Sequence, residues 1–296
     1  MKKIKIIITG SNGLLGQKLV SLFVEHNFDV YAFSRGKNRN VITNNYNYFN
    51  VDITHSKKIT QLVNRIKPNF IINAAAMTNV DTCELNPKEC DEINVTAVNN
   101  LMLLCDKNNI HLVHISTDFI FDGKKGLYTE TDKPKPINYY GLSKLKSEEI
   151  ILKSNINYTI LRTILVYEIV NNSNRTNILS WVKNSLENKQ KINVVTDQYR
   201  TPTLADDLAK ACLLAVQKKT IGIFHISSNE LLSIYEIALQ IANTFKLDKN
   251  LISPIETKQL NQTAKRPPKT GFIIDKAVDE LGFKSTSFKE RLLNFI

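Results

Sequence analysis

The sequence of 296 residues predicts an α/β fold, a doubly wound parallel sheet with a smaller, discontinuous second lobe. Three observations support this fold. A β-branched run ends abruptly at Gly10, short apolar runs alternate with amphipathic segments through the first half of the chain, and a late apolar run at 222–226 is typical of one more strand of the same sheet. We therefore expect the chain to leave the sheet and to return to it before it ends.

The first strand becomes the first helix through three glycines at three-residue spacing. Gly10 can take a tight turn, Gly13 lets a phosphate approach the backbone, and Gly16 lets the helix pack closely on the strand. The positive end of the helix would face a pyrophosphate. An ordinary strand-to-helix turn can have the same spacing, but the position directly after the first strand favours a dinucleotide site in a Rossmann-like fold. The predicted cofactor contacts in this turn are Gly10, Ser11, Asn12, Gly13, Leu14, Leu15 and Gly16.

The remaining elements follow from hydrophobic periodicity and from helix-stop signals such as Pro68. Strands and helices alternate, which favours parallel pairing. In chain order, the predicted elements are a helix from Leu14 to about His26, strands at 29–33 and 46–51, a helix through 59–66, a strand at 69–73, a helix from about Pro87 to Asn108, a strand at 111–115, a helix that begins near Tyr140, and a helix around 178–183.

The ends of the next strands predict the rest of the cofactor site. An acidic residue at the end of the second strand would accept the 2′-hydroxyl of NAD, but none stands there. Arg35, with Lys37 or Arg39 behind it, suits a 2′-phosphate, so NADP(H) is favoured over NAD(H), although a basic surface loop has the same composition. Asp52 follows the third strand, where a carboxylate can reach an adenine amino group. The predicted contacts at these strand ends are Ser34, Arg35, Asp52, Ile53, Ala74, Ala75, Ala76 and Ser116.

Tyr140 and Lys144 lie four residues apart, which places both side chains on one face of a helix. A phenol has a pKa near 10, so it exchanges a proton poorly at neutral pH unless a fixed positive charge favours the phenolate. Lys144, together with an oxidised nicotinamide ring, would supply that charge, and the hydroxyl of Thr117 could hold a substrate carbonyl oxygen. We predict Thr117, Tyr140 and Lys144 as catalytic residues, and Tyr140 and Lys144 also as cofactor contacts, with Lys144 holding the nicotinamide ribose.

Composition excludes several other classes. The net charge of +11 is spread along the chain without a dense basic tract, so we expect no nucleic-acid partner. No apolar run approaches the roughly twenty residues that cross a bilayer, and the first residues lead straight into a strand, which favours a cytoplasmic protein without a membrane partner. The four cysteines and five histidines have no metal-ligand spacing, so no metal is predicted.

The three glycines, Asn73 to Ala76, Ser116 to Asp118 and the Tyr140/Lys144 pair together resemble the extended short-chain dehydrogenase/reductases. Further segments narrow the resemblance to the dTDP-4-dehydrorhamnose reductases, and the likeness spans nearly the whole chain. It implies NADPH-dependent reduction of the C4 ketone of a dTDP-linked 6-deoxy sugar, with Thr117, Tyr140 and Lys144 matching the catalytic residues. The narrowing segments are 116–123, 161–163, 197–203 and 266–268.

The resemblance also implies a nucleotide-sugar substrate and its contacts. Leu165 stands where these reductases typically have a tryptophan near the sugar, which leaves the sugar open. Arg200 and Arg266 are candidates for the pyrophosphate, since a guanidinium pairs two phosphate oxygens, but an ion pair between the lobes is an equal alternative. The predicted substrate contacts are Thr78, Val80, Asp118, Phe119, Leu165, Arg200 and Arg266.

We expect residues 1–163 and about 197–226 to form the cofactor domain, and about 164–196 and 227–296 to form the substrate lobe. A homodimer is possible. Two alternatives stay open. One is another nucleotide-sugar epimerase or dehydratase, although dehydratases of this superfamily typically have a glutamate where Phe119 stands. The other is a regulatory protein, because the regulatory subunit of methionine adenosyltransferase resembles the same reductases.

Overall fold

The computed structural model describes residues 3–42, 44–169 and 176–296. Strands and helices alternate through the first half of the chain, as the hydrophobic pattern predicts. The strands are β1 (Lys5–Thr9), β2 (Asp29–Ser34), β3 (Tyr46–Asn50), β4 (Phe70–Asn73), β5 (His111–Thr117), β6 (Gly126–Tyr128), β7 (Tyr158–Thr163), β8 (Val166–Tyr167), β9 (Ile192–Val195), β10 (Tyr199–Arg200), β11 (Thr203–Leu204), β12 (Gly222–Ile226), β13 (Leu232–Ser233), β14 (Ile252–Ile255) and β15 (Lys269–Phe272).

The predicted helices are all present, and their ends lie within a few residues of the predicted ones. A π-helical turn at Glu92–Thr96 joins two of them into one continuous helical stretch from Pro87 to Asn108. The α-helices are α1 (Leu14–Glu25), α2 (Ser56–Ile66), α3 (Val80–Leu85), α4 (Pro87–Asp91), α5 (Ala97–Asn108), α6 (Tyr139–Leu152), α7 (Ile178–Glu187), α8 (Ala205–Lys218), α9 (Ile234–Thr244) and α10 (Phe288–Leu292).

Seven parallel strands form the central sheet in the order β12-β7-β5-β4-β1-β2-β3. The strand order reverses between β1 and β4, so the helices that follow these two strands lie on opposite faces. This arrangement confirms the doubly wound, Rossmann-like fold. Ligands of such sheets bind in the crevice at the carboxyl ends of the strands where the order reverses.

The β-branched residues of β1 are buried on both faces of the sheet. Ile6 and Ile8 belong to one core cluster, which α1 and α8 cover, whereas Ile7 belongs to the opposite cluster, which α2 and α5 cover. The alternation follows from the two-residue period of a strand. A central parallel strand therefore reads as a continuous apolar run, because each face has its own layer of helices.

A third core cluster lies outside the central sheet. It includes Tyr167, side chains of α7, α9 and α10, and strands β9 and β14, which pair in parallel. Residues of the segment 272–283 belong instead to the first cluster beside the central sheet. The division of the chain into two domains stays a prediction that these separate clusters support.

The described parts of the chain lack two features, a membrane-spanning helix and a metal-ligand cluster. Within them, no helix is both long and apolar enough to cross a membrane. The same residues contain no group of three or more His, Cys, Asp or Glu side chains placed to hold a metal ion.

Candidate active site

The glycine turn after β1 leaves no room for side chains at two of its positions. Gly10 has a φ of +67°, and a Cβ there would lie 2.8 Å from the backbone nitrogen of Ala75. A Cβ on Gly16 would lie 2.2 Å from the carbonyl oxygen of Gly10. The two glycines therefore let α1 close onto β1, and let the turn close onto the loop that follows β4.

The N-terminal end of α1 is suited to an anion. Gly13 is the N-cap residue and has no side chain to satisfy the first-turn N–H groups, which carry the positive end of the helix dipole. Ser11 is fully buried beside it, and its hydroxyl has no hydrogen-bond partner among the residues that the structure describes. An unpaired buried hydroxyl next to free N–H groups fits a phosphate oxygen acceptor.

The basic loop after β2 is fixed to this turn by Asn12. The Asn12 Nδ2 atom donates to the carbonyl oxygens of Arg35 at 3.0 Å and Lys37 at 2.9 Å, and its Oδ1 accepts from the Arg39 nitrogen at 3.0 Å. The Arg35 side chain is 67% exposed, and its guanidinium lies 3.5 Å from the Asp52 carboxylate. Asn12 thus places the Arg35 guanidinium at the open edge of the site, a structural role that the glycine spacing alone does not reveal.

A row of polar side chains crosses three neighbouring strands at the same register position. Thr9 pairs with Asn73, and Asn73 pairs with His114. The Thr9 hydroxyl donates to Asn73 Oδ1 at 2.6 Å, and Asn73 Nδ2 lies 3.2 Å from His114 Nδ1. The row connects the glycine turn to β5 beneath the carboxyl edge of the sheet.

Lys144 lies at the end of this polar row. Its Nζ lies 3.0 Å from His114 Nε2 and donates to the Ile115 carbonyl oxygen at 2.8 Å. Burial lowers the pKa of Lys144 to about 8, against an opposing effect from Glu148. Burial and the adjacent Lys144 hold the pKa of His114 well below its usual range, so this imidazole is neutral at neutral pH.

Three contacts fix the helix that carries Tyr140 and Lys144. Asn138 caps α6 by accepting from the Gly141 nitrogen at 2.8 Å. A Cβ on Gly141 would lie 2.0 Å from the Phe119 carbonyl oxygen, so the helix packs directly on the backbone of the turn after β5. Further along, Glu148 forms a buried ion pair with Arg162 of β7 at 2.7 Å. These contacts place the first turn of α6 beside Thr117.

Tyr140 is half-buried, and its ring meets Phe119 edge-on at a centroid distance of 6.0 Å. Burial raises the pKa of Tyr140 above that of a free phenol, and a hydrogen bond with Thr117 offsets this effect only in part. The expectation that Lys144, together with an oxidised nicotinamide ring, favours the phenolate stays a prediction. In this structure the Lys144 Nζ contacts His114 and the Ile115 carbonyl, and the phenol is protonated at neutral pH.

Comparison with known proteins identifies the family of this site. The family model for the RmlD substrate binding domain matches residues 4–296. The chain belongs to this family.

Relatives and solved structures agree with the family assignment. A dTDP-4-dehydrorhamnose reductase of Aggregatibacter actinomycetemcomitans is 30% identical over 98% of this chain and 97% of its own. The methionine adenosyltransferase 2 subunit beta of Rattus norvegicus is 29% identical over 85% of this chain and 75% of its own. A crystal structure of dTDP-4-dehydrorhamnose reductase from Bacillus anthracis in complex with NADP superposes with a TM-score of 0.87 at 28% identity, covering 99% of this chain and 98% of that one.

In this RmlD-family chain, two predicted substrate contacts lie in the interior. Arg200 and Asp118 are buried, with 3.8 Å between guanidinium and carboxylate. The Arg200 Nη1 donates to the Tyr199 carbonyl oxygen at 2.7 Å, and Asp118 accepts from the Thr270 hydroxyl. This geometry fits the alternative that Arg200 forms an ion pair and does not contact substrate. A pyrophosphate role for Arg200 stays a prediction, and it requires the Arg200–Asp118 pair to separate.

Arg266 also forms an ion pair. It holds Asp81 of α3 with two hydrogen bonds, at 2.7 Å to Oδ1 and 2.6 Å to Oδ2. The same carboxylate accepts from the Ala264 nitrogen at 2.9 Å, so the pair fixes the segment before β15 to the helix after the alanine loop. Arg266 therefore also fits the alternative of an ion pair, and its role at the pyrophosphate stays a prediction.

The remaining predicted residues divide into exposed and interior positions. Thr78 is exposed, Val80 and Phe119 are half-buried, and the Phe119 ring lies 5.5 Å from the Arg200 guanidinium carbon. Leu165 has a positive φ of 40° and packs between the first and third core clusters. Buried positions are Leu15, Ile53 and Ser116, and half-buried ones are Leu14, Ser34, Ala74, Ala75 and Ala76.

Sequence reasoning assigned no role to His114. The signal that could have found it is the position of each residue along its strand. Thr9 and Asn73 end their strands, and His114 lies at the equivalent height on the next strand. Side chains at one height on parallel neighbours face the same side of the sheet.

Proposed function

We propose that this chain is an oxidoreductase that reduces the C4 ketone of a nucleotide-linked 6-deoxy sugar with NADPH, as a dTDP-4-dehydrorhamnose reductase does. One observation carries the proposal. Thr117, Tyr140 and Lys144 gather at the carboxyl end of β5, beside a glycine turn whose helix end fits a phosphate. The family membership and the NADP complex of a related reductase support the same reaction.

The residues present fit a nicotinamide dinucleotide. The Gly10–Gly16 turn and the Ser11 hydroxyl would hold the pyrophosphate, and the exposed guanidinium of Arg35 would pair a 2′-phosphate. The half-buried alanines at 74–76 would line the flat rings. When bound, the cofactor supplies the hydride that reduces the ketone.

Tyr140 is the proton donor in this proposal. Because burial raises its pKa, the phenol is protonated at neutral pH, which is the form that a ketone reduction requires. Its Oη gives the proton to the substrate oxygen, and the hydroxyl of Thr117 orients that oxygen. Lys144 lies one helical turn after Tyr140 on α6, and its ammonium would stabilise the negative charge that develops on the phenol.

The second lobe would hold the nucleotide-sugar. Residues of 164–196 and 227–296 build most of the third core cluster, which supports the proposed division into a cofactor domain and a substrate lobe. Thr78, Val80 and Phe119 lie at or near the surface, and the Phe119 ring contacts Tyr140. Leu165 replaces an aromatic ring near the sugar, so we expect the sugar preference to differ from that of reductases with tryptophan.

The test follows oxidation of NADPH by nicotinamide absorbance with a dTDP-4-keto-6-deoxy sugar. Tyr140→Phe removes the proton donor and should lower turnover by roughly 10²- to 10⁴-fold, without a matching change in NADPH binding. Tyr139→Phe is the matched control, because the Tyr139 hydroxyl contacts Asp91 at 2.8 Å on the neighbouring helix. Full turnover in Tyr140→Phe would refute the assigned roles.

A second candidate is a regulatory subunit. It is favoured by the 29% identity to methionine adenosyltransferase 2 subunit beta, a similarity close to that of the reductase relative. The same assay separates the two candidates: a regulatory protein would bind NADPH without oxidising it on any nucleotide-4-ketosugar, and would change the activity of a partner enzyme instead.

A further inference from the structure

Two cysteines on consecutive short helices bring their sulfur atoms together. Cys83 of α3 and Cys90 of α4 are seven residues apart in sequence, and their Sγ atoms are 2.7 Å apart. This separation is well inside the contact distance of unbonded sulfur atoms and about 0.7 Å longer than a disulfide bond of about 2.05 Å. Only a small displacement therefore separates the pair from a covalent bond.

The surroundings of the pair distinguish it from the other two cysteines. Asn94 Nδ2 and Ser143 Oγ each lie 3.3 Å from the Cys90 sulfur. The hydrogen bond with Cys83, and then those with Ser143 and Asn94, outweigh burial and lower the pKa of Cys90 to about 7. Burial raises the pKa of Cys105 and Cys212, which belong to core clusters on opposite faces of the sheet. Those two thiols are therefore unreactive by comparison.

We propose that Cys83 and Cys90 form a modification site, a dithiol that a small hydroperoxide oxidises to an intramolecular disulfide. Both side chains are buried, so the oxidant must be small. The pair is joined to the surface by one contact: Cys83 donates to the carbonyl oxygen of half-buried Met77, and the next two residues, Thr78 and Asn79, are exposed.

The chemistry is balanced. The Cys90 thiolate attacks one oxygen of the hydroperoxide, the O–O bond breaks, and Cys90 becomes a sulfenic acid while the leaving oxygen takes a proton. The Cys83 sulfur then attacks the Cys90 sulfur, the S–S bond forms, and the sulfenic oxygen leaves as water with the Cys83 proton. Two thiols and hydrogen peroxide thus yield one disulfide and two waters. A thiol reductant reverses the modification.

The pair contacts two residues, Asn94 and Ser143, that bond the backbone of two segments of the candidate active site. Asn94 donates to the Met77 carbonyl at 3.0 Å and accepts from the Met77 nitrogen at 2.9 Å, which fixes the loop after β4. Ser143 donates to the Tyr140 carbonyl oxygen at 2.8 Å in α6. Oxidation removes the Cys83 donor from Met77 and shifts the sulfur that Asn94 and Ser143 contact. We expect weaker NADPH binding in the oxidised protein, a consequence that rests on the proposed function.

The test of the disulfide needs no activity. The full chain is treated with hydrogen peroxide, denatured, labelled with N-ethylmaleimide and weighed by mass spectrometry. Two of the four cysteines should escape labelling, with the chain lighter by two hydrogen atoms and peptide mapping joining Cys83 to Cys90. The variant that carries Cys105→Ala and Cys212→Ala keeps only Cys83 and Cys90, so after peroxide treatment it should take up no label. Four labels after treatment, or a bond to a different cysteine, would overturn the proposal.

The effect on the site is measured by titrating NADPH into reduced and oxidised protein. The dissociation constant should rise roughly five-fold or more on oxidation and recover with dithiothreitol. Cys90→Ala, which leaves no partner for Cys83, should show no such change. Equal affinity in both forms would overturn the coupling. Failure of both forms to bind NADPH would overturn the proposed function, and the labelling result would still decide the disulfide.

Discussion

Replacing Lys144 by methionine should stabilise the fold at neutral pH while it removes the proposed chemistry. The pKa of Lys144 is about 8, compared with about 10.4 for a free lysine, which corresponds to about 3 kcal/mol at 1.36 kcal/mol per pKa unit. Methionine avoids this cost but leaves the Ile115 carbonyl and His114 Nε2 without the Lys144 contact, at about 1 kcal/mol each. Lys144→Met should therefore gain about 1 kcal/mol of unfolding free energy at pH 7.

The dependence on pH gives a sharper test. A lysine whose folded pKa is lowered binds its proton more tightly in the unfolded chain, so wild-type stability rises as the pH increases from about 8 to about 10.4. Lys144→Met lacks this rise, and at the upper end of the window it should be less stable than the wild type by about 2 kcal/mol.

Urea unfolding followed by circular dichroism at several pH values measures both effects. The matched control is Lys146→Met on the same helix. Its lysine is partly exposed beside Asp91, whose hydrogen bond raises the pKa of Lys146, so any effect is small and has the opposite sign. The reasoning fails if wild type and Lys144→Met change stability in parallel between pH 8 and 10.

Two further variants test the cofactor site. Arg35→Ala should raise the KM for NADPH roughly ten-fold and leave that for NADH unchanged, because one exposed charged hydrogen bond contributes about 1–1.5 kcal/mol after solvent screening. Lys107→Ala, at an exposed position near the end of α5, is its control, and an equal loss with both cofactors would contradict the 2′-phosphate assignment. Gly16→Ala should cost about 2–3 kcal/mol in urea unfolding, since its Cβ would meet backbone atoms at 2.2 Å. Gly36→Ala, whose Cβ would have open space among the described residues, should cost about 1 kcal/mol from its positive φ alone, and equal losses would refute the packing argument.

The elements of the central sheet could be predicted because each one is encoded by the residues of its own segment. A strand such as β1 is a β-branched run, its end is a glycine, and its helix begins within a few residues, so each element is specified by its own segment. The catalytic candidates follow the same logic: Thr117 ends a strand and Tyr140 begins a helix. Short strands such as β6 and β10 escaped prediction, because two or three residues have no detectable period.

The partners of charged side chains could not be predicted, because pairing depends on which distant segments meet. Asp81 and Arg266 are 185 residues apart in sequence, and their bond exists only because the segment before β15 packs against α3. The Thr9, Asn73 and His114 row likewise depends on the register of three strands, which no single segment encodes.

The electrostatic surroundings of Lys144 indicate that its role is chemical and not structural. Glu148, one helical turn after Lys144, would be the natural counter-ion, but Arg162 already occupies this carboxylate through two of its nitrogens. Lys144 is left with a neutral imidazole and a carbonyl oxygen, and burial lowers its pKa to about 8. An apolar side chain would fill the same space without that cost, so packing gives no reason for an ammonium here. A proton transfer at the adjacent phenol does give one, because the charge stabilises a phenolate only while the transfer takes place.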